Sequence, residues 1–302
     1  GGLYFEASCA GGIPIIRALT EGMQGNCVTS LKGIVNGTTN YILSRMSDEG
    51  VDYGDCLRDA QALGYAEANP TADVDGFDAM YKNSILSSLA YKKRVPIEKI
   101  YREGISSVAV EDINYGKELG YTLKLLAISK NRDGKIEARV HPAFLPSGHP
   151  LSSVSGSFNA VYVHGDNVDD IMLYGRGAGA LPTGSAIVSD IVFAAGRDAH
   201  RRFPWELEEK VNDDDFASDF SSRYYIRLGV SDEEGTLSKI AGVFGRAGIS
   251  LATVVQKEAA TKEVPVIFIT HETKESVVRK ALAKIEQLSG VERIAALIRV
   301  EE

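Results

Sequence analysis

Cysteine is scarce in this sequence, and long apolar runs are missing. The three cysteines, Cys9, Cys27 and Cys56, are scattered and form no CxxC pair, which argues against a disulfide framework or a zinc knuckle. No apolar stretch approaches the roughly 18 residues that a membrane-spanning helix requires. We therefore expect a protein of the reducing cytoplasm with no membrane partner.

Basic residues are fewer than acidic ones. The 302 residues include 33 Lys and Arg against 41 Asp and Glu, a net charge of -8. Nucleic-acid-binding proteins normally carry a basic face that neutralises phosphates, so we expect no nucleic-acid partner. Seven acidic residues and only one lysine lie between Glu206 and Asp219. This stretch predicts an acidic linker over residues 204–222, between two domains.

Several familiar catalytic patterns are also missing. None of the five histidines forms an HxxxH pair or pairs obviously with a cysteine, which argues against a zinc site or a nucleophilic triad. His141-Pro142 and His149-Pro150 are interpreted as loop residues. No GxGxxG follows a strand, so a dinucleotide-binding fingerprint is missing. Because the chain begins at Gly1 without an initiator methionine or signal peptide, we interpret it as part of a larger protein.

Residues 1–203 alternate between strand and helix patterns. A strand is predicted over Leu3–Ser8, followed by a helix with Pro14 in its first turn, where the missing N–H costs nothing. A further helix follows Asn36-Gly37-Thr38-Thr39, with Thr38 or Thr39 as its cap. The other predicted strands are Cys27–Val35, Tyr121–Ser129, Lys135–Val140, Asn159–His164 and Ile171–Tyr174, and the other predicted helices are Gly54–Leu63, Asp75–Lys93 and one after Pro182. Together they predict an α+β domain with a mixed, largely antiparallel sheet and a hairpin at Asn131-Arg132-Asp133-Gly134.

Residues 223–302 predict a separate, smaller domain. Tyr224, Ile226, Leu228 and Val230 alternate as in a strand, and a helical spacing of apolar residues begins at Leu237. Two more strands, a second helix and a last strand ending at Val300 follow. This βαββαβ order is that of a ferredoxin-like fold.

The densest group of charged residues lies between Ala60 and Lys82. Asp78 and Lys82 are four positions apart in the sequence (i and i+4), so they share one face of a predicted helix. A lysine held by carboxylates in a partly dry cleft could act as a general acid near neutral pH. The alternative is that the acids stabilise the helix dipole and that Asp78 and Lys82 form a surface ion pair.

The segment Ala60–Lys82 closely resembles the signature of homoserine dehydrogenase. The resemblance implies that Lys82 is the catalytic acid/base, which hands a proton to the aldehyde oxygen. It implies that Glu67 and Asp78 bind homoserine through its amino and hydroxyl groups. The remaining implied site residues are Asp73 and Tyr65 in the substrate pocket, and Gly64 and Glu67 beside the nicotinamide of NAD(P).

The segment Glu6–Ile16 resembles the part of the same family that holds a monovalent cation, commonly sodium. The resemblance implies that the Glu6 carboxylate and the backbone carbonyls of Cys9, Gly11 and Ile13 are its ligands. Oxygen ligands suit a hard cation, and glycines let carbonyls turn inward. The alternative is a glycine-rich turn with no ion.

Two more glycine-containing turns resemble the family. In the first, Gly37 and Thr38 would line the substrate site, although an ordinary helix cap is compatible with the same residues. In the second, Gly175–Ser185, the resemblance implies that Gly177 and Gly179 lie beside the cofactor. Taken alone, that second turn is a weak phosphate-loop signal.

The segment Asp232–Ser250 resembles an ACT domain, an amino-acid-sensing module. The resemblance implies effector binding at Gly235, Thr236 and Leu237, with threonine as the expected effector. A glycine there lets a ligand approach the backbone, and free N–H groups at a helix start suit its carboxylate. The alternative is a dimerisation module that has lost its ligand.

These resemblances imply a homoserine dehydrogenase that interconverts L-aspartate 4-semialdehyde and L-homoserine with NAD(P)H. They imply a catalytic and dimerisation domain over residues 1–203, an ACT domain over residues 223–302, and a homodimer or homotetramer. The dinucleotide-binding domain would precede Leu3, so the chain alone is predicted to be inactive. The competing hypotheses are a non-catalytic amino-acid-binding regulator and another small-aldehyde dehydrogenase on the same fold.

Overall fold

The computed structural model describes residues 2–196, 212–257 and 263–302. The first part of the predicted acidic linker, with Glu206, Glu208 and Glu209, lies outside these described residues. No helix in the described ranges is long and apolar enough to cross a membrane.

The chain forms two compact units. The first consists of residues 1–142 and 147–217, and the second of residues 143–146 and 218–302. The predicted ACT domain therefore falls within the second unit, which also takes in four residues from the middle of the chain.

The first unit is built on an antiparallel sheet. Its strands are β1 Val28–Ile34, β2 Tyr101–Arg102, β3 Tyr121–Arg132, β4 Lys135–Pro146, β5 Phe158–Gly165 and β6 Asp169–Arg176, the end of β4 belonging to the second unit. Its helices are α1 Ile15–Arg17, α2 Gly37–Glu49, α3 Tyr53–Ala62, α4 Thr71–Val74, α5 Phe77–Tyr91, α6 Val110–Glu118 and α7 Ala180–Ala195. The strand order is β6-β5-β1-β3-β4, and the two-residue β2 pairs in parallel with β4. This arrangement confirms the predicted α+β class.

Buried polar groups fasten the helices to this sheet. Asn83 in α5 is fully buried and donates to the carbonyls of Ile128 and Arg139, on adjacent strands. The hairpin between β3 and β4 forms where the sequence predicts it, with Asp133 and Gly134 at φ values of 53° and 80°. A turn with two positive φ values matches the twist of the flanking strands.

The beginning of the chain differs from the prediction. The strand predicted over Leu3–Ser8 is wrong, because the segment holds only a 3₁₀ turn at Glu6–Ser8. The Glu6 carboxylate accepts hydrogen bonds from the backbone N–H groups of Ile16 and Arg17, at 2.7 and 3.1 Å. These bonds fold the segment back onto the start of α1 and leave no neighbour for a strand.

The second unit has the predicted ferredoxin-like order. Its elements are β7 Ser221–Ser231, α8 Thr236–Arg246, β8 Leu251–Gln256, β9 Glu263–Thr270, β10 Thr273–Lys274, α9 Glu275–Ile285 and β11 Val291–Val300. The sheet order is β11-β7-β9-β8, and β10 pairs with β7. Ala143 and Phe144 pair in parallel with Arg299 and Val300 of β11. The core between sheet and helices contains Ile240, Phe244, Phe268, Val278 and Ile285, all buried.

Candidate active site

A cavity of about 450 Å³ lies at one edge of the first unit's sheet. Strands β1 and β6 end at this edge, and the antiparallel β5 begins there. The turns that follow or precede these strands therefore converge. The residues that line the cavity are Asn36, Gly37, Thr38, Leu63, Gly64, Tyr65, Asp73, Asp78, Lys82, Ser157, Asn159, Arg176, Gly177, Ala178 and Gly179.

Lys82 projects into this cavity from α5. Its Nζ donates to the Asp78 carboxylate at 2.6 Å and to the Val35 carbonyl at 2.9 Å. The Lys82 side chain is 20% exposed and that of Asp78 32% exposed. The pair is therefore partly desolvated at a cavity wall, and an ammonium with three N–H groups keeps one for a ligand.

Two carboxylates, Asp73 from α4 and Asp78 from α5, stand beside this lysine. The Asn36 side-chain amide donates to both, at 2.7 Å to Asp73 and 2.9 Å to Asp78. Burial raises the pKa of Asp73, and the charges of Asp78 and Glu67 act in the same direction. The Asn36 hydrogen bond and the Lys82 charge lower it. A cation bound here would relieve the crowding of negative charge.

Helix α2 begins at the cavity and carries the second predicted group. Its cap is Asn36, not Thr38 or Thr39 as predicted, because the Asn36 amide oxygen accepts the Thr39 N–H at 2.9 Å. The Gly37 and Thr38 N–H groups come first in the helix and have no intrahelical acceptor. They remain available to an anion.

The loop that carries Gly64 and Tyr65 is tied to α2. Thr38 Oγ1 donates to the Tyr65 carbonyl at 2.6 Å. The rings of Tyr41 and Tyr65 lie 4.8 Å apart between centroids. Glu67, two residues further on, is exposed and is not among the lining residues.

The glycine loop between β6 and α7 closes another side of the cavity. A Cβ atom on Gly177 would lie 1.9 Å from Asn159 Nδ2, and Gly179 has a φ of +115°. Gly179 is also the N-cap of α7, so the first N–H groups of that helix lie next to this loop. The close contact at Gly177 is with Asn159 of the protein itself, so a cofactor beside this loop stays a prediction from the resemblance.

The predicted cation loop packs directly behind this glycine loop. A Cβ atom on Gly11 would lie 2.3 Å from the Gly177 carbonyl oxygen, and Gly12 N–H donates to the Arg176 carbonyl at 3.0 Å. Glu6 is 3% exposed, and burial raises its pKa. Both oxygens of this buried carboxylate already accept N–H groups, from Ile16 and Arg17, so the sodium site stays a prediction from the resemblance.

The predicted effector residues lie at the start of α8 in the second unit. Gly235 caps this helix at a φ of 84°. Thr236 is buried, and its Oγ1 has no hydrogen-bond partner among the described residues. Leu237 is 40% exposed.

Sequence reasoning missed Asn36 and Asn159 as site residues. Asn36 stands immediately before Gly37-Thr38 at the end of a strand, and its helix-capping residue type was a usable signal. Asn159 lies within β5 and reaches the cavity only through the pairing of β5 with β6. No local pattern marks it.

Comparisons with known proteins agree with this geometry. The homoserine dehydrogenase family model matches residues 14–192, and the ACT domain model matches residues 224–290. The homoserine dehydrogenase of Bacillus subtilis is 40% identical over 99% of this chain and 70% of its own length. That of Helicobacter pylori is 43% identical over 98% of this chain and 70% of its own length.

Solved structures give the same result. A homoserine dehydrogenase from Thiobacillus denitrificans superposes with a TM-score of 0.92 at 42% identity, covering 99% of this chain and 70% of that one. A hyperthermophilic archaeal homoserine dehydrogenase mutant in complex with NADPH gives a TM-score of 0.57 at 33% identity, covering 67% of this chain and 58% of that one. The chain therefore belongs to the homoserine dehydrogenase family of oxidoreductase enzymes and carries an ACT domain.

Proposed function

We propose that this chain binds the substrate and moves the proton in the NAD(P)-dependent interconversion of L-aspartate 4-semialdehyde and L-homoserine, a step toward threonine and methionine. The observation that carries the proposal is Lys82, whose ammonium is held by Asp78 and the Val35 carbonyl at the cavity wall with one N–H left over. Reducing an aldehyde requires a proton on oxygen as hydride reaches carbon. Lys82 is the acid for that proton, and the base for its removal in the reverse direction.

The same cavity supplies a binding group for each charged group of homoserine. The substrate ammonium needs carboxylates, which Asp73 and Asp78 provide, and Glu67 would join them from its exposed loop. The substrate carboxylate suits the free Gly37 and Thr38 N–H groups at the start of α2. Both groups are on Cα, so binding them fixes that end of the substrate, and the reacting C4 lies two carbons further along the chain.

NAD(P), when bound, supplies the hydride. Gly64, Gly177 and Gly179 would lie beside the nicotinamide, since all three line the cavity that Lys82 enters. NADPH is bound in one of the related solved structures. Glu6 and the carbonyls of Cys9, Gly11 and Ile13 would hold a sodium ion that supports the glycine loop.

We expect the 302-residue chain to bind homoserine without turning it over, because its sequence has no strand followed by GxGxxG. Calorimetric titration of the chain with L-homoserine should give a saturable heat, which Asp78→Asn should abolish. Asp55→Asn, which removes an exposed carboxylate of α3, is the matched control and should leave binding unchanged. A titration without heat would contradict substrate binding, and NADP-dependent homoserine oxidation by the chain would contradict its predicted inactivity.

We further propose that the ACT domain makes the enzyme sensitive to threonine in a cytoplasmic homodimer or homotetramer. The start of α8, which no side chain caps, and the buried Thr236 hydroxyl without a partner among the described residues support an amino-acid ligand at this point. Titrating the whole chain with L-threonine tests the proposal, since the absence of heat at millimolar ligand would favour a dimerisation module. A chain that binds threonine but not homoserine would favour the non-catalytic regulator.

A further inference from the structure

The side chain of Asn36 is held in one orientation by the helix it caps. It is 6% exposed and is separated from the end of β1 by one residue, Val35. Its amide oxygen accepts hydrogen bonds from the Thr39 N–H and the Thr39 hydroxyl, both at 2.9 Å. Rotating the amide by half a turn would bring its NH₂ group against these donors. The NH₂ group therefore faces away from the helix.

On that opposite side, the NH₂ group meets the two cavity carboxylates. One bond of 2.7 Å reaches Asp73 Oδ1, and one of 2.9 Å reaches Asp78 Oδ2. The same Asp78 oxygen accepts from Lys82 Nζ at 2.6 Å. Both hydrogens of the amide are thus used, and they join two carboxylates that would otherwise repel each other.

We propose that Asn36 is a positioning residue for the reaction: its amide, oriented by the cap of α2, holds Asp73 and Asp78 together and thereby fixes Lys82. The inference rests on the proposed function, because it assigns Asn36 a part in that chemistry. The substrate ammonium then meets two aligned carboxylates instead of two that have moved apart. Lys82 keeps its free N–H directed at the substrate oxygen.

The competing explanation is that Asn36 only caps α2. Two substitutions separate the roles, since Ser and Asp are both good N-cap residues. Asn36→Ser keeps a side-chain oxygen that can cap α2, but its shorter side chain has no NH₂ group to bridge Asp73 and Asp78. Asn36→Asp keeps size and acceptor but places a third carboxylate against Asp73 and Asp78. Both variants should therefore keep the helix and lose the alignment.

The first test follows the Asp73 carboxyl by carbon-13 NMR as the pH of the 302-residue chain is varied. Because the Asn36 bond favours the ionised carboxylate, the titration midpoint of Asp73 should move to higher pH in Asn36→Ser and further in Asn36→Asp. Asp78, Lys82 and Glu67 face the same group and are unchanged in both variants. An unmoved midpoint would overturn the proposal.

The wild-type chain offers a signature that requires no substitution. The Asn36 side-chain N–H resonances should shift with the same midpoint as the Asp73 carboxyl, because protonation weakens the bond between them. This measurement decides the matter even if a variant fails to fold. Asn36 side-chain resonances whose chemical shifts do not change as Asp73 titrates would contradict the proposed contact.

The second test is homoserine binding by calorimetry. We expect the dissociation constant to rise about tenfold in Asn36→Ser and more in Asn36→Asp, as for the loss of a charged hydrogen bond. Asn167→Ser is the matched control, because it removes an amide that donates to the Asp166 carboxylate and the Gly25 carbonyl in the turn between β5 and β6, at the other end of these strands from the cavity. Equal weakening in the control would mean a structural role only. If the wild-type chain binds no homoserine, the proposed function fails, while the NMR titration still judges Asn36.

Discussion

A single buried lysine makes the stability of the first unit depend on pH. Lys124 in β3 is 3% exposed and donates to the Val154 carbonyl at 2.5 Å and to Asn40 Oδ1 at 3.3 Å. Burial lowers its pKa from 10.5 to about 8. Below pH 8 the folded chain therefore carries a buried charge that the unfolded chain hydrates freely.

The sign of the resulting effect is fixed. Between pH 8 and 10.5 the unfolded chain binds more protons at Lys124 than the folded chain does, so stability rises with pH. Lys124→Met removes this dependence. From pH 8 to pH 10.5, the free energy of unfolding of the wild type should therefore rise relative to that of the variant. We expect a rise of roughly 3 kcal/mol, at about 1.4 kcal/mol per pH unit. Urea unfolding of both proteins at pH 7.5 and 11 measures this change. An equal difference between wild type and variant at the two pH values would contradict the prediction.

Two glycines of one segment should respond in opposite ways to alanine. Gly177→Ala forces a methyl group into Asn159, at 1.9 Å from its Nδ2, and should destabilise the chain by about 1–3 kcal/mol and weaken homoserine binding. Gly184 in α7 has nothing within 4 Å of an added Cβ. Gly184→Ala should stabilise the helix by roughly 0.5–1 kcal/mol, because alanine loses less backbone entropy. Thermal unfolding of the pair is the measurement, and equal effects would refute the contact at Gly177.

Predictability from sequence varied sharply between residues. The spacing of Asp78 and Lys82 placed both on one helix face without knowledge of the tertiary structure. The position of Asn36 between two carboxylates could not be predicted, because Asp73 and Asp78 reach it from helices about 40 residues later. Lys124 is charged within a strand pattern, and only the assembled sheet places it away from water.

At the scale of elements, five of the six strands predicted in residues 1–203 formed, and so did the hairpin. The hairpin formed at Asp133-Gly134 because aspartate and glycine tolerate the two positive φ values that the turn requires. The Leu3–Ser8 strand failed because the buried Glu6 folds its segment back onto α1. His141-Pro142, interpreted as loop, lies within β4, with His141 fully buried. Proline disfavours strands locally, but the pairing of β2 with β4 ends at Val140 and that of β11 begins at Ala143, so Pro142 lies between the two.

The hairpin yields a prediction of its own. Gly134 has a φ of 80°, a conformation that costs a residue with a Cβ about 1–2 kcal/mol. Gly134→Ala should lower the free energy of unfolding by that amount. Gly148 has no positive φ and nothing within 4 Å of an added Cβ, so Gly148→Ala is the control and should change little. Equal urea midpoints for both variants would rule out strain at the turn.

At the scale of the molecule, we expect the two units to bind different ligands. A ligand that binds the native form slows local opening around its site. In hydrogen exchange on the whole chain, L-homoserine should protect the segment around Asp73–Lys82, and L-threonine the start of α8 at Thr236. Threonine protection confined to the first segment would contradict the assignment of the effector site to the second unit.

The strand β4 contributes residues to the second unit, and this matters for the design of chimeric enzymes. Its residues Ala143 and Phe144 pair with Arg299 and Val300, and Glu301 N–H donates to the Phe144 carbonyl. The unit is therefore not a contiguous cassette. A chimera joined within residues 204–222 would pair one protein's β11 with another protein's strand, and residues 218–302 expressed alone would present β11 as an open edge prone to aggregation. Transplanting the second unit requires moving Ala143–Pro146 with it.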